Sequence, residues 1–497
     1  MLLVIFLTCI ILLLTKWHLW RREQFRILSS HNFNVPPTNY VFGNLHQITR
    51  DDLCTMTHWM EEYGEEVGQM GGRIMGWYRG PNPALLTTSP EILKEVFIKD
   101  AENFIDRPML DRSDNIPHLI NMRGHTWKRA RSVLAPTFSA AKMKKMSSIM
   151  SKTIMTMRDI LEDKIESSEG LIDVNDVFQR LTLDTIGHCA LAMNVNCQLD
   201  RQDNFLKMVR TALDRQIDLT VIVSACFPLV ERLVAWLFQR RGRKWTNMVI
   251  IERCRRVLQE RKTNPPKVTP VDALQLCMDA AGRDKRISED EIVAHEFIFI
   301  LAGYETTAAC LMFTAYLLAS NPQVQRKLQR EIDQKFSDSK SVARYDTVTE
   351  LQYLDQVLCE SMRVYPPIPA HIGRWAAQER TIQGKTIPQH CAVSAAVWVL
   401  HHDQAFWDDP WKFDPERFAP ENRNKIVEMT YMPFGEGPRN CIGRRFALME
   451  AKMALVEVLR RFNFETCEKT PESLRVRNKG LTLSVIGDEL WLKISKR

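Results

Sequence analysis

The chain has 497 residues, 45% of them hydrophobic and 26% charged, with a formal net charge of +7. That composition is globular, and the length suits one very large domain or several. The modest positive excess does not argue for nucleic acid, no nucleic-acid motif accompanies it, and no repeat or low-complexity tract interrupts the chain. Twelve cysteines are scattered without a C-x-x-C spacing. They are expected to be mostly reduced, buried and inert in a cytosolic domain.

The first element is an almost unbroken apolar run from Met1 to Leu14, continued through Lys16, Trp17 and Trp20 to Arg21 and Arg22. Counted to Trp20, with Lys16 reaching for the interface, it attains the ~20 residues of a membrane span. A cleaved signal peptide would need positive charge before the run and a small-residue cleavage site after it. Neither is present, and the charges that follow the run keep the remainder on the cytosolic side. Residues 1–20 are therefore expected to form a single-pass anchor and 21–45 a basic, proline-stiffened hinge through Pro36-Pro37. Residues 46–497 would be the folded domain.

Residues from about Gly68 to Thr88 read as short strands broken by glycines and Pro81, and Pro90 suits the first position of a helix. Helices dominate after Ser89. Trp127 and Arg131, four apart, share a helix face, so an indole N–H and a guanidinium can reach one anionic group. An ordinary amphipathic helix with a basic exterior explains Lys128 and Arg129 equally well. Lys262 to Pro270 is a helix-breaking loop inside the domain.

A long helical pattern runs from about Glu289 to Ala319. It contains Ala302-Gly303-Tyr304-Glu305-Thr306-Thr307. An acid followed by a threonine inside an apolar helix costs free energy unless both are hydrogen-bonded. One reading is a kinked core helix with Thr306 bonded back to an upstream carbonyl. The functional reading uses the same kink: Ala302 and Gly303 open a groove for dioxygen, and Glu305 and Thr306 relay protons to it. Further on, Glu360 and Arg363 share a helix face and can pair. Thr381 to Ala395 returns to strand-like sequence, and the tail Leu481 to Ile494 alternates as a final hairpin would.

The most specific stretch is Phe434-Gly435-Glu436-Gly437-Pro438-Arg439-Asn440-Cys441-Ile442-Gly443, followed by a helical run. Gly435 and Gly437 let the backbone fold close beneath a flat cofactor. The following helix aims N–H groups and its positive dipole end at the sulfur. A thiolate so held can serve as the axial ligand of haem iron and favour O–O cleavage.

These motifs resemble those of the cytochrome P-450 superfamily of haem-thiolate monooxygenases. The loop matches F-G-x-G-x-R-x-C-x-G at every fixed position, and A-G-x-[DE]-T-T, E-x-x-R and W-x-x-x-R are also present. The resemblance runs from about Tyr63 to the C-terminus. It is nearest to the microsomal branch that includes vertebrate steroid- and drug-oxidising enzymes, thromboxane synthase and invertebrate detoxification enzymes. It implies a mostly α fold with small β-sheets, a single large domain enclosing haem b between the Ala302–Thr306 helix and the Cys441 loop. Cys441 would be the iron ligand, with Trp127, Arg131, Arg374, Arg439, Phe434 and Gly443 around the cofactor. Arg374 is placed less firmly, because the loop before it, with His371, varies in length. Arg417 would join Glu360 and Arg363 in a buried network that fixes the haem loop.

The resemblance further implies insertion of one oxygen atom into a lipophilic substrate (a steroid, fatty acid or xenobiotic). Electrons would come from NADPH through a separate flavoprotein reductase, since no flavin or nicotinamide fingerprint occurs here. Cytochrome b5 is a second electron donor consistent with it, and the endoplasmic reticulum membrane is the expected location. Lys128, Arg129, Lys142, Lys144, Lys145, Arg444 and Arg445 are the basic residues expected to meet the reductase. Trp236, Phe238 and Trp245, interleaved with Arg240, Arg241, Arg243 and Lys244, suit a second membrane contact. Ile116 to Ile120, Phe205 to Phe238, Phe297 to Leu301 and Leu481 to Leu483 are expected to line the pocket. Two other readings stay open: a haem-thiolate isomerase acting on a peroxide, and a non-enzymatic haem-binding protein.

Overall fold

The computed structural model describes residues 1–48, 52–108, 116–190, 193, 195–200, 202–213, 226–227, 246–266, 272–284, 287–336, 343–370, 373–479 and 481–497. Helices form most of it, as expected. The first, Leu2–Gln24, is mostly apolar and mostly exposed as far as Trp20, and the 28-residue helical stretch Leu3–Ser30 is long and apolar enough to cross a membrane. It ends where Arg21 donates to the carbonyls of Tyr40 and Val41. Leu28 and Phe33 then pack into the core beside the first sheet.

Ser89 caps the helix Pro90–Lys94 by accepting from Ile92 N, with Pro90 in the first turn. The five-stranded sheet runs Glu65–Val67, Gly72–Arg79, Asn82–Thr87, Ala392–Ala395, Arg374–Trp375 in spatial order. Only the pairing of Asn82–Thr87 with Ala392–Ala395 is parallel. Sequence-distant strands thus meet, which carries Arg374 into the domain centre. The segment before residue 108 is pinned to that edge: Trp375 N donates to Asp106 O at 2.8 Å and Ala377 N to Asn103 O at 2.9 Å.

The helix Glu289–Ser320 is the axis of the main core. Its N-terminus is a capping box between Ser288 and Glu291. It is apolar on most of its surface because most of it is buried, and by length and composition alone it could cross a membrane. It runs uninterrupted, and Thr306 Oγ1 donates back to Ala302 O at 2.6 Å, the upstream-carbonyl bond expected of a core helix. Against it lie the helices Val174–Ala190, Gln352–Val364 and Arg444–Leu459.

The tail departs from the expected hairpin. Thr482–Val485 pairs with the upstream strand Val476–Lys479, while Trp491–Lys496 pairs with Leu171–Asp173 and Phe462–Glu465. The physical reason is burial. Leu492 and Ile494 alternate into the core beside Ile172, Phe462 and Phe464, and Asp488 clasps Arg477, Lys479 and Ser484 to close the earlier pair.

Candidate functional site

Three elements converge on one internal cavity. The first is the loop from Phe434 to Gly443. Gly435 and Gly437 adopt φ of 66° and 73°, which an L side chain adopts at a cost. Gly437 is doubly constrained, because a Cβ there would fall 1.7 Å from Phe97 O. Cys441 N donates to Phe434 O at 2.8 Å and Asn440 N to Gly437 O at 3.1 Å. The loop then feeds the helix Arg444–Leu459, with Gly443 as its N-cap.

Cys441 Sγ opens on the cavity but lies deep within the protein. Burial pushes its thiol up, while the Gly443 N–H and the guanidiniums of Arg131, Arg107 and Arg444 pull it back. Cys189 and Cys310 also line the cavity. They sit on apolar helices, and burial raises both thiols, that of Cys310 to about 12.

The second element is the centre of the long helix. Ala302, Gly303, Thr306 and Thr307 line the cavity. Glu305 is buried, 7% exposed, and is not among the lining residues. Gly303 is the close-approach point for the neighbouring helix, since a Cβ on it would lie 3.0 Å from Ile186.

The third element is a ring of arginines. Trp127 is buried, and the Arg439 guanidinium lies over its ring, 4.3 Å from the centroid. Arg439 Nη2 donates to Met122 O at 2.7 Å. Arg131 donates to Asn440 O at 2.9 Å and Oδ1 at 2.8 Å, tying its helix to the loop. Arg374 lies over Phe97, 4.6 Å from the centroid. Of the residues expected to ligate iron, hold the cofactor or act on dioxygen, all except Glu305 are therefore brought to one cavity.

Sequence reasoning missed Arg107. It lines the cavity and donates through Nη2 to Arg439 O at 2.9 Å. Burial, with Arg131 beside it, lowers Arg107 to about 10. Burial with Arg107 nearby lowers Arg439 to about 9, and burial with both Arg107 and Arg439 nearby lowers Arg374 well below its ordinary value. The Nε atoms of Arg107 and Arg439 are buried without an acceptor among the described residues. No spacing rule links Arg107 to the loop; the only sequence signal was a lone Arg-Pro after Phe104-Ile105-Asp106. His118 lies inside the Ile116 to Ile120 stretch expected to line the pocket. It precedes Leu119 and Ile120, which line the cavity, and burial lowers it to about 4.

Beneath the loop, Arg363 grips Glu360 through Nε and Nη2, both at 2.8 Å, and both side chains are fully buried. Arg417 Nε adds a contact to Glu360 Oε1 at 3.3 Å, and Asp414 N donates to the same oxygen at 3.0 Å. Arg363 Nη1 reaches His401 O at 2.9 Å, and His401 Nε2 accepts from Met432 N two residues before Phe434.

Some expectations fail or fall elsewhere. Leu481 is exposed and Leu483 is packed in the core; neither lines the cavity. Lys128 is ion-paired with Glu102 at 3.0 Å, Arg129 with Glu291 and Lys144 with Asp346, so these cations are already partly neutralised. His371, Trp236, Phe238, Arg240, Arg241, Arg243, Lys244, Trp245 and most of the Phe205 to Phe238 stretch lie outside the described residues.

The model of the family described as Cytochrome P450 matches residues 34–489. The chain belongs to the cytochrome P450 family. It is 34% identical to dog (Canis lupus familiaris) cytochrome P450 3A12 over 422 residues, 82% of each chain. It is 33% identical to Fundulus heteroclitus cytochrome P450 3A56, over 86% of this chain and 88% of that one. Cytochrome P450 9e2 of the cockroach Blattella germanica is 30% identical over 94% of each. As a P450 the chain is a haem-thiolate monooxygenase, and the reading as a non-enzymatic haem carrier is set aside.

Proposed function

We propose that this P450 inserts one atom of dioxygen into a lipophilic organic substrate. NADPH supplies the electrons through a separate flavoprotein reductase, and residues 1–20 anchor the catalytic domain to the endoplasmic reticulum membrane. The observation that carries the reading is the setting of Cys441. Of the three cavity cysteines it alone sits on a loop, with a backbone N–H and three guanidiniums favouring its anionic form.

The cavity also fits the rest of haem. Its walls are mainly apolar, and Arg107, Arg131, Arg374 and Arg439 gather on it with buried Nε atoms lacking acceptors on two of them. Such a set suits the two carboxylates of a haem b. Trp127, Arg131, Arg374 and Arg439, with Arg107 added, are assigned to hold them. Phe434 and Gly443 flank the sulfur. When bound, haem supplies the chemistry that cleaves dioxygen and delivers one atom to substrate.

The chain's own residues supply position and protons. Thr306 faces the cavity with its hydroxyl proton donated to Ala302 O, so its oxygen stays able to accept a second proton donor. Glu305, buried one residue earlier, is assigned as the acid behind it. Leu119, Ile120, Ile298 and Phe299 provide an apolar wall that excludes water and selects lipophilic substrates.

Cys441→Ser tests the reading. The strongly red-shifted Soret band of the ferrous carbonyl complex should vanish, while Cys189→Ser and Cys310→Ser retain it. Persistence of the band in Cys441→Ser would overturn the assignment. Conversion of an organic peroxide to a product of the same composition without NADPH or reductase, with no lipophile oxidised when both are supplied, would favour the isomerase.

A further inference from the structure

The helix Val174–Ala190 has two faces with different partners. One meets the long helix at the oxygen-facing motif. Thr182 Oγ1 donates to Tyr304 O at 2.9 Å, and Tyr304 OH donates to Gln179 Oε1 at 2.9 Å. The other face carries Asp184 and His188 and opens on a second cavity of ≈ 410 Å³. That cavity shares no lining residue with the one holding Cys441. Its size falls in the range of small-molecule sites, about 300–1,000 Å³.

The second cavity is a built site. Asp184 is 3% exposed and accepts from Cys197 N at 2.7 Å and Gln198 N at 3.1 Å, which fixes the segment following the helix. Gln198 is 7% exposed, and its Nε2 donates to Thr153 O at 3.2 Å. That contact sets the amide's orientation. It leaves Oε1 buried with no hydrogen-bond donor among the described residues. A buried acceptor without a donor is costly, and a ligand N–H or O–H would satisfy it.

One cation and one imidazole share the wall. Lys152 is exposed on the cavity wall and has no ion pair among the described residues. The His188 imidazole lines the same cavity, its Nδ1 3.4 Å from Thr153 Oγ1. Ile149, Met193 and Leu199 complete an apolar flank, with Leu199 69% exposed.

We propose that this cavity is an effector site for a small organic anion that carries a hydroxyl or N–H donor. The anion meets Lys152 and His188, the donor meets Gln198 Oε1, and the apolar body lies on Ile149 and Leu199. Occupancy is transmitted through the opposite face of the same helix to Tyr304, between Gly303 and Glu305.

The test uses full-length holoenzyme with 1-phenylimidazole filling the haem cavity, whose own spectral shift reports an intact haem site. 4-Hydroxyphenylacetate is titrated by calorimetry against phenylacetate, which lacks the donor, and 4-hydroxyphenylethanol, which lacks the anion. The full probe should bind about tenfold tighter than either. Lys152→Gln should weaken it about fivefold. Gln198→Met should weaken the full probe and leave phenylacetate unchanged, a pattern that a general folding defect cannot produce. Saturating probe should also shift the affinity for 1-phenylimidazole, and phenylimidazole should shift the affinity for probe by the same factor. Absence of saturable binding, equal affinity for the three compounds, or indifference to both substitutions overturns the site. Binding that leaves the phenylimidazole affinity unchanged overturns its effector role.

Discussion

Gly437→Ala separates the two reasons a glycine sits beneath the sulfur. The first is conformational. At φ +73° a side chain enters the left-handed region, at a cost of roughly 1–2 kcal/mol. The second is steric. The added Cβ would lie 1.7 Å from Phe97 O and 2.8 Å from Phe97 C, both backbone atoms. Separation to ordinary contact requires the loop or the Glu95–Lys99 turn to move by more than an ångström, and overpacking of this kind costs about 1–3 kcal/mol. The sum is about 2–5 kcal/mol.

Gly384→Ala is the internal control. Its φ is +74°, nearly that of Gly437, but a Cβ there meets nothing within 4 Å. It sits in the turn between the strands Arg380–Ile382 and Lys385–Ile387, far in sequence from the Cys441 loop. It should therefore lose only the conformational part. The assay is the urea midpoint of haem release followed at the Soret band, with the ferrous carbonyl spectrum read at zero urea. Gly437→Ala should lose clearly more stability than Gly384→Ala and convert part of the carbonyl complex to the form lacking thiolate ligation. If the two variants lose the same amount, the close approach to Phe97 carries no energy and the reasoning fails.

Glu360→Gln should cost about 3–5 kcal/mol in the same urea assay, because it leaves the buried Arg363 charge without its counter-ion; a loss below 1 kcal/mol would show the pair to be solvated. Thr306→Ala should lower product formed per NADPH consumed by about tenfold, with the missing electrons recovered as peroxide; unchanged coupling would remove the residue from proton delivery. Stability should also depend on pH. His118, His295 and His402 are held neutral by burial, each lowered from 6.5 to about 4. Their unfolded forms bind protons first, so the stability they contribute is complete above pH 6.5 and is lost as pH falls toward 4, by order-of-magnitude ~3 kcal/mol for each. Glu296 and Glu450, raised well above their ordinary value by burial, act with the opposite sign and lose stability as pH rises above about 4.5. His295→Leu should flatten the acid limb of the midpoint-against-pH curve, and an unchanged limb would refute the assignment.

What was legible in the sequence was local. The long helix was expected over about Glu289 to Ala319 and spans Glu289–Ser320, because its apolar run lies in one stretch of chain. The Glu360–Arg363 pair was legible because i and i+3 share a helix face whatever surrounds them. The tail was misread for the opposite reason. Alternation fixes which residues face inward but not which strand they pair with, and Trp491–Lys496 finds Leu171–Asp173 more than three hundred residues away. Gly303 was read as an opening for dioxygen. The packing adds a second cause, contact with Ile186 from a helix that no sequence window contains. Arg107 was invisible because its position is set by two backbone hydrogen bonds from the Arg374–Trp375 edge to Asn103 and Asp106.

That last case explains why the cavity and the fold are coupled. The loop arginine, the helix arginine, the edge-strand arginine and Arg107 come from four elements that have no other reason to bring like charges together. Arg107 appears among the groups that lower Arg374, and again among those that lower Arg439. Asp106 Oδ1 lies 3.6 Å from Arg439 Nη2, and its side chain is one-third exposed. The arrangement thus carries a repulsion that a dianionic cofactor would convert into attraction, and anything that binds the folded state alone stabilises it. Folding around the cavity and retention of haem are then parts of one equilibrium. Neutralising one member, as in Arg107→Gln, should make the haem-free protein more stable and the haem-bound protein less so. A substitution acting only through packing would move both in the same direction, so the sign of the two urea midpoints decides between charge and shape.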